Sequence, residues 1–277
     1  MSQPYTPPAG AIDTHAHIFG PAAKYPYNPE RGYTPADRSV DDYLALLDGL
    51  GIQYGVIVQP TVYGTDNRRT GDAAAARPDR LRAVAAVAPD VGDAELDRLH
   101  AQGVRGTRVS NMAKGGVPLE LIEDVANKVK RLGWHVLIMA NRGGLVSEMK
   151  PMLQRLPVPL LVDHIAMNKV ADGFETQAFK DLLDLVRQGN TWVKVSHAYG
   201  LTQTGAPYRD VAPFVHALLA TDASRLLWAS DWPHPSHRDH PPDDRVLLDA
   251  FAAWVPDEAK RKQILVDNPR ALYDFAG

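Results

Sequence analysis

His15 and His17, the Asp163-His164 pair and Asp231 are the residues of this 277-residue chain best able to do chemistry. His15 and His17 close the apolar run Ile12-Asp13-Thr14-His15-Ala16-His17. On a β-strand, side chains two residues apart point the same way, so the pair aims two imidazoles at one spot. Such a pair suits a metal ion or a polarised carbonyl. Asp231 follows a second apolar run, Leu226-Leu227-Trp228-Ala229-Ser230, and leads into a proline-containing loop. A histidine pair ending a first strand and an aspartate ending a last one place a catalytic site at one mouth of a parallel barrel.

The elements that must position these residues can be read from the alternation of patterns. Strand-like segments fall near 11–15, 54–60, 81–88, 103–109, 134–140, 158–164, 190–196 and 225–230. Amphipathic stretches lie between them. Ser39 with Asp42 predicts a capped helix start, and Tyr43, Leu44, Leu46, Leu47 and Leu50 supply its apolar face. Leu119–Leu132 and Phe179–Val186 read the same way, with Gly103, Gly133 and Gly189 where helix C-caps fall. Strands alternating with helices eight times over predict a (β/α)8 TIM barrel filling 1–277 as one domain, the alternative being a doubly wound sheet. The connection Ile18–Arg38 is long and rich in Pro, Gly and Tyr, as expected of a loop that covers or lines a site.

Taken in order, the predicted strand ends contribute His15 and His17, then Gln59 and Thr61, Arg108 and Ser110, Met139 and Asn141, His164, Ser196 and His197, and Asp231. In a barrel these ends converge although they are far apart in sequence. Imidazoles and a carboxylate together can hold a catalytic zinc. Without metal, imidazole donors can polarise a carbonyl while the carboxylate takes a proton from water. Asp13 is expected to orient the histidine strand or a neighbouring loop. His197 reads either as a site member or as polar filler, and Arg108 as site-facing. His135 opens strand five, at the end away from the site, and reads as structural. His234, three residues past Asp231, is a site candidate, whereas His237 and His240 read as solvated loop residues. Trp134, Trp192 and Trp254 read as packing.

The formal charge of −3 gives no bulk electrostatic reason to bind nucleic acid or an anionic membrane. With no cysteine, the chain has no disulfide, thiolate metal site or cysteine nucleophile. No apolar run is long enough to cross a bilayer, and residues 1–10 are polar and proline-rich, so the expected location is cytoplasmic. A monomer or a homodimer is expected.

Ile12-Asp13-Thr14-His15-Ala16-His17-Ile18-Phe19-Gly20-Pro21, Tyr33-Thr34-Pro35 with Asp37, Val162-Asp163-His164, Trp228-Ala229-Ser230-Asp231-Trp232-Pro233-His234-Pro235 and the closing Val266-Asp267-Asn268-Pro269-Arg270-Ala271-Leu272-Tyr273 resemble the amidohydrolase superfamily. Within it the chain is most similar to the 2-pyrone-4,6-dicarboxylate lactonase group, which includes sulfomuconolactone and sugar-lactone hydrolases. The resemblance implies a (β/α)8 barrel, a catalytic set of His15, His17, His164 and Asp231, and substrate contacts at Tyr33, Thr61 and Arg108. Positions that match the group's further carboxylate-binding arginines hold Lys114 and Gly200 here, and Met139 replaces its strand-five tyrosine. Lysine meets a carboxylate as a point charge where arginine grips it with two parallel hydrogen bonds, so the pyrone dicarboxylate itself fits this chain less well than lactone chemistry in general.

These readings converge on a hydrolase of a small anionic lactone. Asp231 is the expected general base, and His15, His17 and His164, directly or through an ion, polarise the carbonyl. Arg108, Lys114, Tyr33, Thr61, His197 and His234 are the expected substrate contacts. At most one zinc is expected, on His15, His17, Asp231 and also His164 if a fourth ligand is used. A decarboxylase of the same superfamily, a lactone isomerase and a barrel that binds a ligand without turnover are the alternatives. The decarboxylases usually carry a strand-five histidine, which Met139 and Asn141 do not provide.

Overall fold

The computed structural model describes residues 3–275. Eight parallel strands follow one another round a single sheet in chain order: β1 Ile12–Ala16, β2 Tyr54–Val58, β3 Leu81–Ala85, β4 Val104–Ser110, β5 His135–Met139, β6 Leu160–Val162, β7 Thr191–Val195 and β8 Leu226–Trp228. Outside them run α1 Val40–Leu50, α2 Arg68–Ala76, α3 Asp93–Ala101, α4 Ile122–Val129, α5 Gly143–Leu153, α6 Gln177–Arg187, α7 Ala198–Leu201, α8 Ala212–Asp222, α9 Asp244–Trp254, α10 Glu258–Lys262 and α11 Asn268–Tyr273. This is the (β/α)8 arrangement expected from the sequence. The strands are largely buried on both faces because helices cover one side and the barrel core the other.

The seam between β1 and β8 closes at the level of the candidate residues. Thr14 Oγ1 donates to the Trp228 carbonyl at 2.8 Å, Asp231 N to the His15 carbonyl at 3.0 Å, and His17 N to the Trp232 carbonyl at 2.8 Å. Asp13 braces the seam from below, accepting from Ser230 N at 2.9 Å, Ser230 Oγ at 2.5 Å and Tyr43 Oη at 3.1 Å. Its expected orienting role therefore has a concrete form: it ties the histidine strand to the turn that carries Asp231. Burial pushes its carboxyl up to about 6 against the pull of these donors.

Several strands are shorter than the sequence suggests. β2 stops before Gln59-Pro60, because proline offers no N–H to the ladder. Beyond β3, side chains replace the ladder, Asn67 Oδ1 accepting from Ala86 N at 2.8 Å and Thr107 Oγ1 from Val87 N at 3.3 Å. β6 and β8 end early because the backbone turns left-handed at His164 and Asp231.

The helices are built as read. Ser39 and Asp42 form a reciprocal capping box, at 3.0 and 2.8 Å. Tyr43, Leu44, Leu47 and Leu50 are buried, whereas Leu46 packs only at the edge of the core. The stretch 119–132 is a 3₁₀ turn, α4 and a second 3₁₀ turn, closed by Gly133 at φ 67°. Trp134, Trp192 and Trp254 are buried in the core. His135 is also buried, its ring edge-on to Tyr273 and directly over Gly106, where a Cβ would come within 2.4 Å of it. The long first connection packs Phe19 and Tyr25 against Val62 and Tyr63 of the 3₁₀ turn after β2 to form a small separate core, with Tyr27 and Tyr33 against it. Among the described residues no helix is long and apolar enough to cross a membrane.

Candidate active site

A cavity of about 230 Å³ opens at the C-terminal ends of the strands. His17, His164, His197 and Asp231 line it together with Tyr33, Thr61 and Arg108. Residues drawn from β4 and the turns after β1, β2, β6, β7 and β8 thus meet where the barrel topology predicts.

Asp231 is the hub. Its Oδ1 lies 3.6 Å from His15 Nε2, 3.9 Å from His17 Nε2 and 3.9 Å from His164 Nε2. Its Oδ2 accepts from His197 Nδ1 at 2.9 Å and from the Tyr199 hydroxyl at 2.6 Å. Burial raises the carboxyl pKa, but His164, His197 and His15 together outweigh it and hold the group well below the usual carboxylate range. The opposite holds for the imidazoles, where burial disfavours the cation. It lowers His17 and His164 to about 4, and carries His15 well below its ordinary value with help from the Lys194 ammonium. At neutral pH the cluster is one carboxylate facing three neutral rings.

Left-handed backbone aims several of these side chains. His164, His197, Asp231 and His234 have φ of 52, 60, 67 and 60°, and the left-handed run at His164 continues through Ile165, Ala166 and Met167. Non-glycine residues in this region cost on the order of 1 kcal/mol each and cluster at sites where the surroundings hold them. At His164, His197 and Asp231 the effect is to swing the side chain off its strand axis into the mouth.

The neighbours of the rings assign their protons. His17 Nδ1 donates to the Val58 carbonyl at 2.8 Å, which leaves a lone pair on Nε2. His15 Nε2 lies 3.2 Å from that lone pair, while His15 Nδ1 sits 3.0 Å from Lys194 Nζ and 3.3 Å from Asp163 Oδ1. Lys194 and Asp163 are themselves 3.0 Å apart and fully buried. With Lys194 donating to Nδ1, His15 gives its Nε2 proton to His17. With Nδ1 donating to Asp163 instead, two lone pairs converge and call for a cation between them.

That second state is the one a metal would use. His15, His17 and Asp231 place three ligand atoms within reach of one ion, and His164 lies beside them. Their separations of 3.2, 3.6 and 3.9 Å bracket the ligand–ligand edge of roughly 3.3–3.6 Å expected of tetrahedral zinc. The donor set fits a single divalent ion, with Val58 and Asp163 fixing the two rings from behind.

The remaining expected residues fall into different places. His15 is fully buried below the cavity and reaches it only through His17 and Asp231. Arg108 and Thr61 are buried at the wall, and Tyr33 reaches the cavity from the first loop. Arg108 gives one bond to the Gln59 carbonyl at 3.2 Å, and its buried Nε has no partner among the described residues. Lys114, expected as a substrate contact, is exposed on its loop and does not line the cavity; Arg238 at the mouth does. His234 also lies outside the lining, held between Tyr199 at 3.2 Å and Asp244 at 3.1 Å. His237 is half-buried rather than solvated, its ring edge-on to Tyr199, whereas His240 is exposed as expected.

Three site residues escaped the sequence reading. Lys194 left a signal, a lone charge inside the apolar run Thr191–Val195 and two residues before Ser196, which hydrogen-bonds His164 at 2.8 Å. Arg238 lies in the histidine-rich stretch after Asp231. Tyr199 left none, because its role depends on how α7 docks. Gly200 beside it has a steric reason: a Cβ there would lie 2.1 Å from His197 Nε2.

The amidohydrolase family model matches residues 12–275. The chain is 39% identical to a 2-pyrone-4,6-dicarboxylate hydrolase from Comamonas testosteroni, over 96% of this chain and 90% of that protein. It is 38% identical to a 4-sulfomuconolactone hydrolase from Rhizobium radiobacter, again over 96% and 90%. Among solved structures, a probable 2-pyrone-4,6-dicarboxylic acid hydrolase from Acinetobacter baumannii with citric acid bound superposes with a TM-score of 0.85 at 28% identity, covering 96% of this chain and 100% of that one.

Proposed function

This chain belongs to the amidohydrolase family, and from that premise we propose that it hydrolyses a small anionic lactone in the cavity at the C-terminal mouth of its barrel. The observation that carries the reading is Asp231, an ionised carboxylate whose Oδ1 meets three neutral imidazoles at 3.6–3.9 Å beside a cavity wall that holds a buried arginine. A purely binding pocket has no use for a proton acceptor so placed.

Asp231 Oδ1 takes a proton from water, and the water oxygen bonds to the lactone carbonyl carbon. His164, whose Nδ1 meets Ser196 Oγ at 2.8 Å, accepts there from the hydroxyl and turns its Nε2–H toward the oxyanion. The ring C–O bond then breaks, and Asp231 hands its proton to the departing alkoxide or enolate oxygen. His15 and His17 set the field around Asp231 and are, with Asp231, the residues that would hold a zinc ion. A bound zinc would supply Lewis acidity at the carbonyl. Arg108 and Tyr33 orient the acidic group of the substrate, Arg108 through donors left free by the protein. Burial pushes the Tyr33 phenol up to about 12, so it remains a donor.

Incubation with 2-pyrone-4,6-dicarboxylate, 4-sulfomuconolactone and a neutral lactone of similar size, followed by ring absorbance and acid release, tests the proposal. Ring opening with one acid released per turnover is expected, and isomerisation without acid release would overturn it. Asp231→Asn should lower kcat roughly 100- to 10,000-fold with KM little changed. Activity within about threefold of wild type would remove the base from its role.

A further inference from the structure

The two oxygens of Asp231 have different surroundings. Oδ1 faces the imidazoles at 3.6–3.9 Å, beyond hydrogen-bond distance, whereas Oδ2 accepts two short bonds, from His197 at 2.9 Å and Tyr199 at 2.6 Å. A carboxylate has no proton to give, so the Tyr199 hydroxyl is the donor.

Tyr199 is in turn held from behind. Its oxygen is 3.2 Å from His234 Nδ1, and His234 Nε2 is 3.1 Å from Asp244 Oδ1. Asp244 is the first residue of α9, so the chain Asp231–Tyr199–His234–Asp244 runs from the cavity floor to an outer helix of the barrel. The Tyr199 ring is packed by His197, His234 and His237, with centroids at 4.4, 5.2 and 4.7 Å, and it does not line the cavity.

We propose that Tyr199, fixed by His234 and Asp244, is a positioning residue that pins Oδ2 of Asp231 and thereby leaves Oδ1 as the oxygen that takes the proton from water. The inference rests on Asp231 being the base. It gives His234, expected from sequence to touch substrate, a different task one layer further out. A carboxylate held by His197 alone turns about its terminal torsion, and misplacing a reacting atom by about 1 Å is enough to cost on the order of 100-fold in rate.

The test is a double-variant cycle on whichever of the two anionic lactones the wild-type protein opens faster, together with crystal structures of the variants. Tyr199→Phe keeps the packed ring and removes only the hydroxyl. We expect kcat to fall about 10- to 100-fold with KM within about threefold. The Phe variant should also show Asp231 rotated or in two orientations, a readout that needs no turnover and that a merely structural tyrosine would not move. His234→Asn should lower kcat in the wild-type background and change it less than twofold in the Tyr199→Phe background, since both act through one contact. Asp244→Asn serves in its place if the His234 variant does not fold.

Multiplying effects, an unchanged kcat in Tyr199→Phe, or an unmoved Asp231 carboxylate in that variant would each overturn the proposal. An inactive Asp231→Asn beside a fully active Tyr199→Phe refutes the positioning role and leaves the base assignment standing. Retained activity in Asp231→Asn removes the base assignment and this inference with it.

Discussion

Replacing Lys194 by Met tests whether the barrel interior is held by charge balance as well as by packing. Lys194 Nζ is 3.0 Å from Asp163 Oδ1 and 3.0 Å from His15 Nδ1, and all three side chains are fully buried. Methionine has nearly the same length and flexibility, so little packing is lost. What remains, among the described residues, is an Asp163 carboxylate with the Arg108 cation at 3.9 Å and no hydrogen-bond partner on Oδ2. Removing one side of a buried ion pair costs about 3–5 kcal/mol, mostly through the charge left behind. Arg108 compensates in part, which places this variant near the lower end, at about 3 kcal/mol. For a chain of this size each kcal/mol shifts Tm by roughly 2–4 °C, so a fall of roughly 6–12 °C is expected. Urea unfolding followed by circular dichroism should show a lower midpoint with an unchanged slope. If the stranded charge is the cause, adding Asp163→Asn to Lys194→Met should restore at least half of the loss. A loss below about 1 kcal/mol, or a double variant as unstable as the two single losses added together, would refute the reasoning.

Arg108→Met should lower kcat/KM for an anionic lactone by roughly 30-fold or more, and much less for a neutral one, because only the anion loses a partner in a water-poor pocket. Equal losses on both substrates would mean that Arg108 supports the barrel or the reacting carbonyl instead. Zinc held by His15, His17 and Asp231 and supplied at about 100 times its Kd should add about 2.7 kcal/mol of stability, read as a higher Tm that is absent in His17→Ala. Elemental analysis should then find one ion per chain; full activity in metal-depleted protein would assign the polarising role to the imidazoles alone.

The sequence by itself determined the frame of this protein and picked out His15, His17, His164 and Asp231, which the barrel brings together. Short apolar runs set between amphipathic stretches marked all eight strands, because a strand buried on both faces reads as such a run. The Ser39–Asp42 capping box and the glycine at 133 were equally plain, since caps and left-handed turns depend on a few neighbouring atoms. His15 and His17 could be paired because strand alternation is a local rule, and their Nε2 atoms do meet, at 3.2 Å. Tertiary structure alone decided the rest. It set His15 beneath the cavity and His17 in its wall, left Lys114 in solvent, and put Arg238 at the mouth. It also moved His234 behind Tyr199 and brought Lys194 against His15 across 179 positions of sequence. Patterning records which face of an element is buried, a property of neighbours along the chain. Which oxygen of Asp231 is pinned and which is free depends on turns and helices that meet only when the barrel closes, and no local rule encodes that distance.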